Sequence, residues 1–310
     1  MKAALTAPTT PARPGRGWRE HVEAALPRIV LGPTLLCAVL FIYGFIAVTA
    51  WLSFTEARLL PRYELAGWVQ YVALFENERW WTALANLGIF GSLFIALCMA
   101  SGLLLAILLD QRIRAEGFLR AIYLYPMALS FIVTGTAWRW IFNPSLGFQH
   151  LMREWGFETF TFDWIVTPGM SIYAVVIAAA WQSTGFVMAL FLAGLRGVDD
   201  AIIKAAQVDG AGPARIYTRI IIPSLRPVFF SALIILAHIA IKSFDLVMAL
   251  TGGGPGFSSD LPAIFMYTFA FNRNQIGLGA ASAMMMLLTV VAVVVPMMYA
   301  ETRRHTRDHG

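Results

Sequence analysis

Six stretches of this 310-residue chain each run for more than 20 residues with few or no charges: 29–52, 86–109, 119–142, 172–195, 227–250 and 277–300. A helix rises about 1.5 Å per residue and the hydrocarbon of a bilayer is about 30 Å thick, so each is long enough to cross. Inside lipid a single segment must satisfy its own backbone polar groups, which only a helix does. The expected class is therefore all-α, a polytopic integral membrane protein with six transmembrane helices. Composition agrees: 58% of residues are hydrophobic and 13% charged, against about 45–50% and about 25% in soluble domains. Those values exclude a soluble enzyme and a disordered body. The first run is not expected to be a cleaved leader. It is too long, lacks a small-residue cleavage site and ends in Trp51 and Phe54, which suit an interface.

The placement of basic residues orients the six spans. Segments 1–28, 110–118, 196–226 and 301–310, with Arg120, hold 16 of the 23 Lys and Arg; the alternate side holds Arg58, Arg62, Arg79, Arg153 and Arg273. Basic loops stay in the cytoplasm. Residues 1–28 and 301–310 are thus expected to be cytoplasmic tails flanking a membrane domain over 29–300. Residues 5–17, rich in Pro, Thr and Gly, should be disordered. The net charge of +5 serves orientation and anionic membrane lipid rather than nucleic acid. Segments 53–85 and 143–171 carry Trp68, Tyr71, Trp80, Trp81, Trp155 and Trp164, which fit an interfacial belt.

Most catalytic chemistry has no carrier here. Cys37 and Cys98 lie in apolar runs and read as buried core thiols, and the five histidines have no metal-ligand spacing. No HExxH, GxSxG or paired intramembrane aspartate occurs. A nucleotide-binding P-loop needs Gly-Lys-Ser/Thr, and none of the three lysines, Lys2, Lys204 and Lys242, follows a glycine. The chain is expected to bind no cofactor or metal and to hydrolyse no ATP.

Loop 196–226 is the most informative segment. Asp199 is a good N-cap for a short helix over 200–208, which Asp209-Gly210 ends, and Pro213 can open a second helix. Ala201, Ala205 and Val208 share one side of the first helix, so a partner surface could approach closely. The alternative is a connector lying on the bilayer. KAAQVDGA, Lys204 to Ala211, followed by Ile220, Ile222 and Pro223, resembles the EAA loop of ABC-importer permeases, spanning about 198–223. Lys204 stands where the family has Glu, and Ile222 where it has Leu. LTGGGPG (Leu250 to Gly256), WRWIFNPSLG (Trp138 to Gly147) and WQSTGFVMALFLAGL (Trp181 to Leu195) look like segments of the carbohydrate-uptake branch that includes the maltose and glycerol-phosphate permeases.

That resemblance, over roughly 28–300, implies the type I importer permease fold and a transport subunit in a bacterial inner membrane. It implies that Lys204, Ala205, Ala206, Asp209, Gly210 and Ala211 form a coupling helix on a cytoplasmic ATPase dimer, where ATP and Mg are bound. It also implies a second homologous permease subunit, an extracytoplasmic sugar-binding protein and a sugar substrate.

Polar residues are costly within a span and tend to face a cavity or a partner. His238, Lys242 and Asp245 fall in the fifth span, at spacings that share one face of a continuous helix. They form either a structural ion pair or part of a substrate path. Trp181 and Gln182 in the fourth span offer an indole face and an amide, a combination that suits a sugar. Trp181, Gln182, Lys242 and Asp245 are the expected substrate-path residues. A channel or ion-coupled transporter is the alternative class, although no selectivity filter or arginine repeat is visible.

Overall fold

The computed structural model describes residues 18–58, 64–111 and 113–308. The predicted disordered stretch 5–17 lies outside them. The chain divides into two units, Met1–Trp51 and Leu52–Gly310. In the first, helix α1 runs Trp18–Leu52 and begins well ahead of residue 29. Its apolar stretch Leu31–Leu52 buries nothing. A helix apolar on every side needs a non-aqueous surrounding. Cys37, expected to be buried, is exposed on this helix.

In the second unit the order is α2 (Val69–Phe75), α3 (Glu78–Asp110), α4 (Glu116–Leu124), α5 (Phe131–Ile141), α6 (Phe148–Glu154), α7 (Ser171–Arg196) and α8 (Asp200–Val208). Then come α9 (Pro213–Ile216), α10 (Ile222–Ser224), α11 (Arg226–Ile241), α12 (Asp245–Leu250), α13 (Pro262–Tyr267) and α14 (Ile276–Asp308). Among the described residues, four helical stretches are long and apolar enough to cross a membrane: Leu31–Leu52, Glu78–Asp110, Ser171–Arg196 and Ile276–Pro296. Two bent pairs bring the number to six. Glu116–Ala128 and Phe131–Ile141 meet at 99°, and Pro213–Ser224 and Arg226–Ile241 at 61°.

Helices α3 and α7 form the centre. Phe90, Phe94, Cys98, Gly102 and Ala106 recur every four residues along α3 and are buried. That spacing puts them on one face. Gly102 lets Val187 of α7 approach, since a Cβ there would lie 2.7 Å from its side chain. Gly185 takes a still closer neighbour, the backbone carbonyl of Tyr123, 1.9 Å from where a Cβ would stand. Only small residues allow such approaches between helices. A second, smaller core joins Leu74, Trp80, Phe265 and Phe269. Trp80, expected at the membrane interface, is 1% exposed and meets the Phe265 ring edge-on at 5.3 Å.

Two spans expected to be continuous are broken. The predicted third span, 119–142, passes through a tight turn at Tyr125–Ala128 and restarts at Phe131, capped by Ser130. Pro126 explains the interruption, because it offers no N–H to the ladder. The predicted fifth span, 227–250, stops at Ile241 and restarts at Asp245. The two later halves, α5 and α12, pack closely. A Cβ on Gly135 would lie 2.8 Å from both the Ala249 side chain and the Leu246 carbonyl.

Candidate functional site

The breaks in the third and fifth spans enclose the space where the predicted path residues gather. One cavity of about 310 Å³ is lined by Phe90, Phe131, Ala179, His238, Lys242 and Asp245, among others. A neighbouring one of about 390 Å³ is lined by Leu129, Ser130, Phe131, Gln182, Ser183 and Asp245, among others. They share Phe131, Ile239 and Asp245. Gln182, Lys242 and Asp245 therefore come together. Trp181 stands apart from both linings and packs edge-on against Trp138 at 5.7 Å.

The expected Lys242–Asp245 pair does not form: no ion pair joins them among the described residues. The helix break removes the shared face that their spacing would give. Lys242 is instead the C-cap of α11, and Asp245 the first residue of α12. A cation at a helix C-terminus and an anion at an N-terminus each gain about 0.3–1 kcal/mol. The two charges thus answer the two backbone ends that the break exposes within the span.

Gln182 is 3% exposed. Its Nε2 donates to the Leu129 carbonyl at 2.7 Å, a group left over by the break in the third span. Its Oε1 is buried without a hydrogen-bond partner. Leaving a buried acceptor unmade costs about 1–3 kcal/mol. The two adjoining linings together present the Gln182 and Asp245 side chains on one side and those of His238, Lys242 and Asp245 on the other, a set suited to hydroxyl groups.

The loop after α7 folds as its caps dictate. Asp199 Oδ1 accepts from the Ala201 N–H at 2.8 Å and opens α8. At the other end, the Ala211 N–H donates to Ala206 at 2.9 Å and the Gly210 N–H to Gln207 at 3.0 Å. This double closure requires a left-handed residue, and Gly210 has φ +79°. Ala206, expected on the partner-facing side, is instead buried, and Ile203 and Ala211 pack on the main core, because this face of the amphipathic α8 is the one turned inward. Ala201, Lys204, Ala205 and Val208 face outward, and Val208 is 88% exposed. Lys204 sits 4.0 Å from Asp200, both highly exposed, a pairing of little energetic consequence.

The break residues Leu129 and Ser130 were not among the sequence candidates. Pro126 followed by a serine cap was the signal that could have found them. Asn86, Arg79 and Asp260, described below, had no local signal.

Residues 99–304 match the family of binding-protein-dependent transport system inner membrane components. A probable ABC transporter permease of Pyrococcus horikoshii is 37% identical, covering 88% of this chain and 95% of the relative. The xylose/arabinose import permease protein XacH of Haloferax volcanii is 34% identical over 85% of this chain and 84% of its own. A chain of a bacterial ABC transporter involved in importing the acidic polysaccharide alginate superposes with a TM-score of 0.80 at 19% identity, covering 92% of this chain and 98% of that one. By sequence across about two thirds of its length, and by fold over nearly all of it, this chain belongs to the binding-protein-dependent transport system inner membrane components, the permease subunits of ABC transporters.

Proposed function

We propose that this chain is one half of the translocation path of an ABC importer for a carbohydrate, with both termini in the cytoplasm. The observation that carries the substrate class is that Gln182, Asp245 and Lys242 line two adjoining cavities at the broken spans. Sugar hydroxyls donate and accept at once, so they suit an amide and an accepting carboxylate beside a donating lysine. Relatives named for xylose/arabinose and for trehalose/maltose import support the same class. Gln182, Lys242 and Asp245 contact the sugar, and Trp181 steadies the wall through Trp138.

The exposed face of α8, with Lys204, Ala205 and the turn at Asp209 and Gly210, docks on a separate ATPase dimer that binds ATP and Mg, while Ala206 and Ala211 seat the helix on the core. A second permease chain completes the path, and an extracytoplasmic binding protein delivers the sugar. The crystal structure of a bacterial alginate ABC transporter in complex with an alginate pentasaccharide-bound periplasmic protein supports that assembly. Closure of the ATPase moves α8, and the spans alternate between outward and inward access. The deciding experiment co-purifies the chain with its co-expressed partners and asks which labelled sugar stimulates ATP hydrolysis. Stimulation by one sugar class is expected; none by any sugar, with or without binding protein, overturns the reading.

A further inference from the structure

A groove of about 300 Å³ runs between α3 and α11, lined by Met99, Arg226, Phe229, Phe230 and Leu233. It lies behind the substrate cavities. Met99 stands nine residues after Phe90 on α3, and Phe229 and Phe230 stand nine before His238 and Ile239 on α11. Nine residues are about two and a half turns, which places each pair on opposite sides of its helix. The groove is apolar except at one end, where Arg226 opens α11. Arg226 is exposed and pairs with no carboxylate among the described residues.

We propose that this groove is a binding site for an anionic phospholipid, its acyl chain along Phe229, Phe230, Leu233 and Met99 and its phosphate on Arg226. The placement rests on the orientation argued above, which puts Arg226 at the cytoplasmic leaflet, where anionic lipid is concentrated. Charge complementarity selects the headgroup: a lone guanidinium at the rim of an apolar furrow binds a phosphate bidentately. The apolar remainder excludes a free soluble anion, which would gain nothing from four aliphatic and aromatic side chains.

The test uses the whole complex of both permeases and the ATPase in mild detergent, titrated with phosphatidylglycerol or phosphatidylcholine. Retained lipid is counted by native mass spectrometry. Phosphatidylglycerol should be retained in preference. Arg226→Gln should weaken its retention about fivefold, the factor that about 1 kcal/mol per basic residue near the membrane surface implies, and leave phosphatidylcholine unchanged. Leu233→Trp, which fills the groove, should lower retention of both lipids. Arg120→Gln, an exposed basic residue outside the groove, should change neither. Equal losses from Arg226→Gln and Arg120→Gln would overturn the site in favour of a diffuse basic belt. Retention that appears only after the second permease is removed would equally overturn it, assigning the groove to that chain. Sugar-stimulated ATP hydrolysis in the same preparation reports separately on the import reading, because lipid retention requires no turnover.

Discussion

Arg79 and Asp260, 181 residues apart, close a two-point ion pair. Arg79 donates from Nε to Oδ2 at 2.7 Å and from Nη2 to Oδ1 at 3.3 Å. An arginine in the first turn of α3 opposes the helix dipole, so its place there is explained by its partner. The guanidinium also lies 4.3 Å from the centre of the Phe257 ring. Asn86 donates to the carbonyls of Phe257 and Asp260 at 2.9 and 3.0 Å. Together they hold the glycine-rich loop after α12 against α3.

The pair should fail asymmetrically. The Asp260 side chain is fully buried, whereas that of Arg79 is 12% exposed. Arg79→Ala strands a buried carboxylate, a loss on the order of 3–5 kcal/mol, while Asp260→Asn leaves a cation that reaches water. Thermal melting of the purified complex should fall further for Arg79→Ala. Burial pushes the Asp260 carboxyl up, and the hydrogen bond and charge of Arg79 pull it back down. An acid raised in the folded state favours folding more when protonated. The Arg79→Ala deficit should therefore grow as pH rises and shrink as it falls; a deficit independent of pH would contradict the stranded carboxylate.

Gly210 tests the α8 turn. Its φ of +79° costs a residue with a Cβ about 1–2 kcal/mol, and proline cannot adopt it at all. Gly210→Ala should weaken ATPase association several-fold in pull-down, and Gly210→Pro should abolish both association and uptake. Intact uptake with Gly210→Pro would remove α8 from the coupling role.

For the cavity, Gln182→Leu should raise the half-saturating sugar concentration about tenfold or more, the expected consequence of losing a buried hydrogen bond of about 1–3 kcal/mol. Trp181→Leu should change it less, since Trp181 lies outside both linings. Initial-rate uptake measurements across a concentration series distinguish the two. Equal effects would place the sugar elsewhere.

Packing of the centre predicts a contrast between two glycines. Gly185→Ala drives a methyl into the Tyr123 carbonyl, and backbone against backbone cannot yield cheaply. Gly88→Ala meets nothing within 4 Å and should stabilise α3 by about 0.4–1 kcal/mol. Yield and melting temperature of the complex should fall for the first and hold or rise for the second.

Much of this molecule is legible without coordinates. The six apolar runs follow from the thickness of lipid, which any single helix must match by itself. The bounds of α8 follow from Asp199, Gly210 and Pro213, because a cap acts within a few residues of its own position. Glutamine and charge inside a span marked the cavity residues, since nothing else repays their cost. What the local pattern concealed were the breaks at Pro126–Ser130 and Lys242–Phe244, which turned a supposed ion pair into two separate helix ends. A span stays unbroken in lipid unless some neighbour satisfies the freed backbone, and the neighbour here is Gln182, 53 residues from the Leu129 carbonyl it serves. Trp80 went to a core and Arg79 to Asp260 for the same reason: the partner that decides each lies far along the chain, where only the tertiary structure brings it within reach.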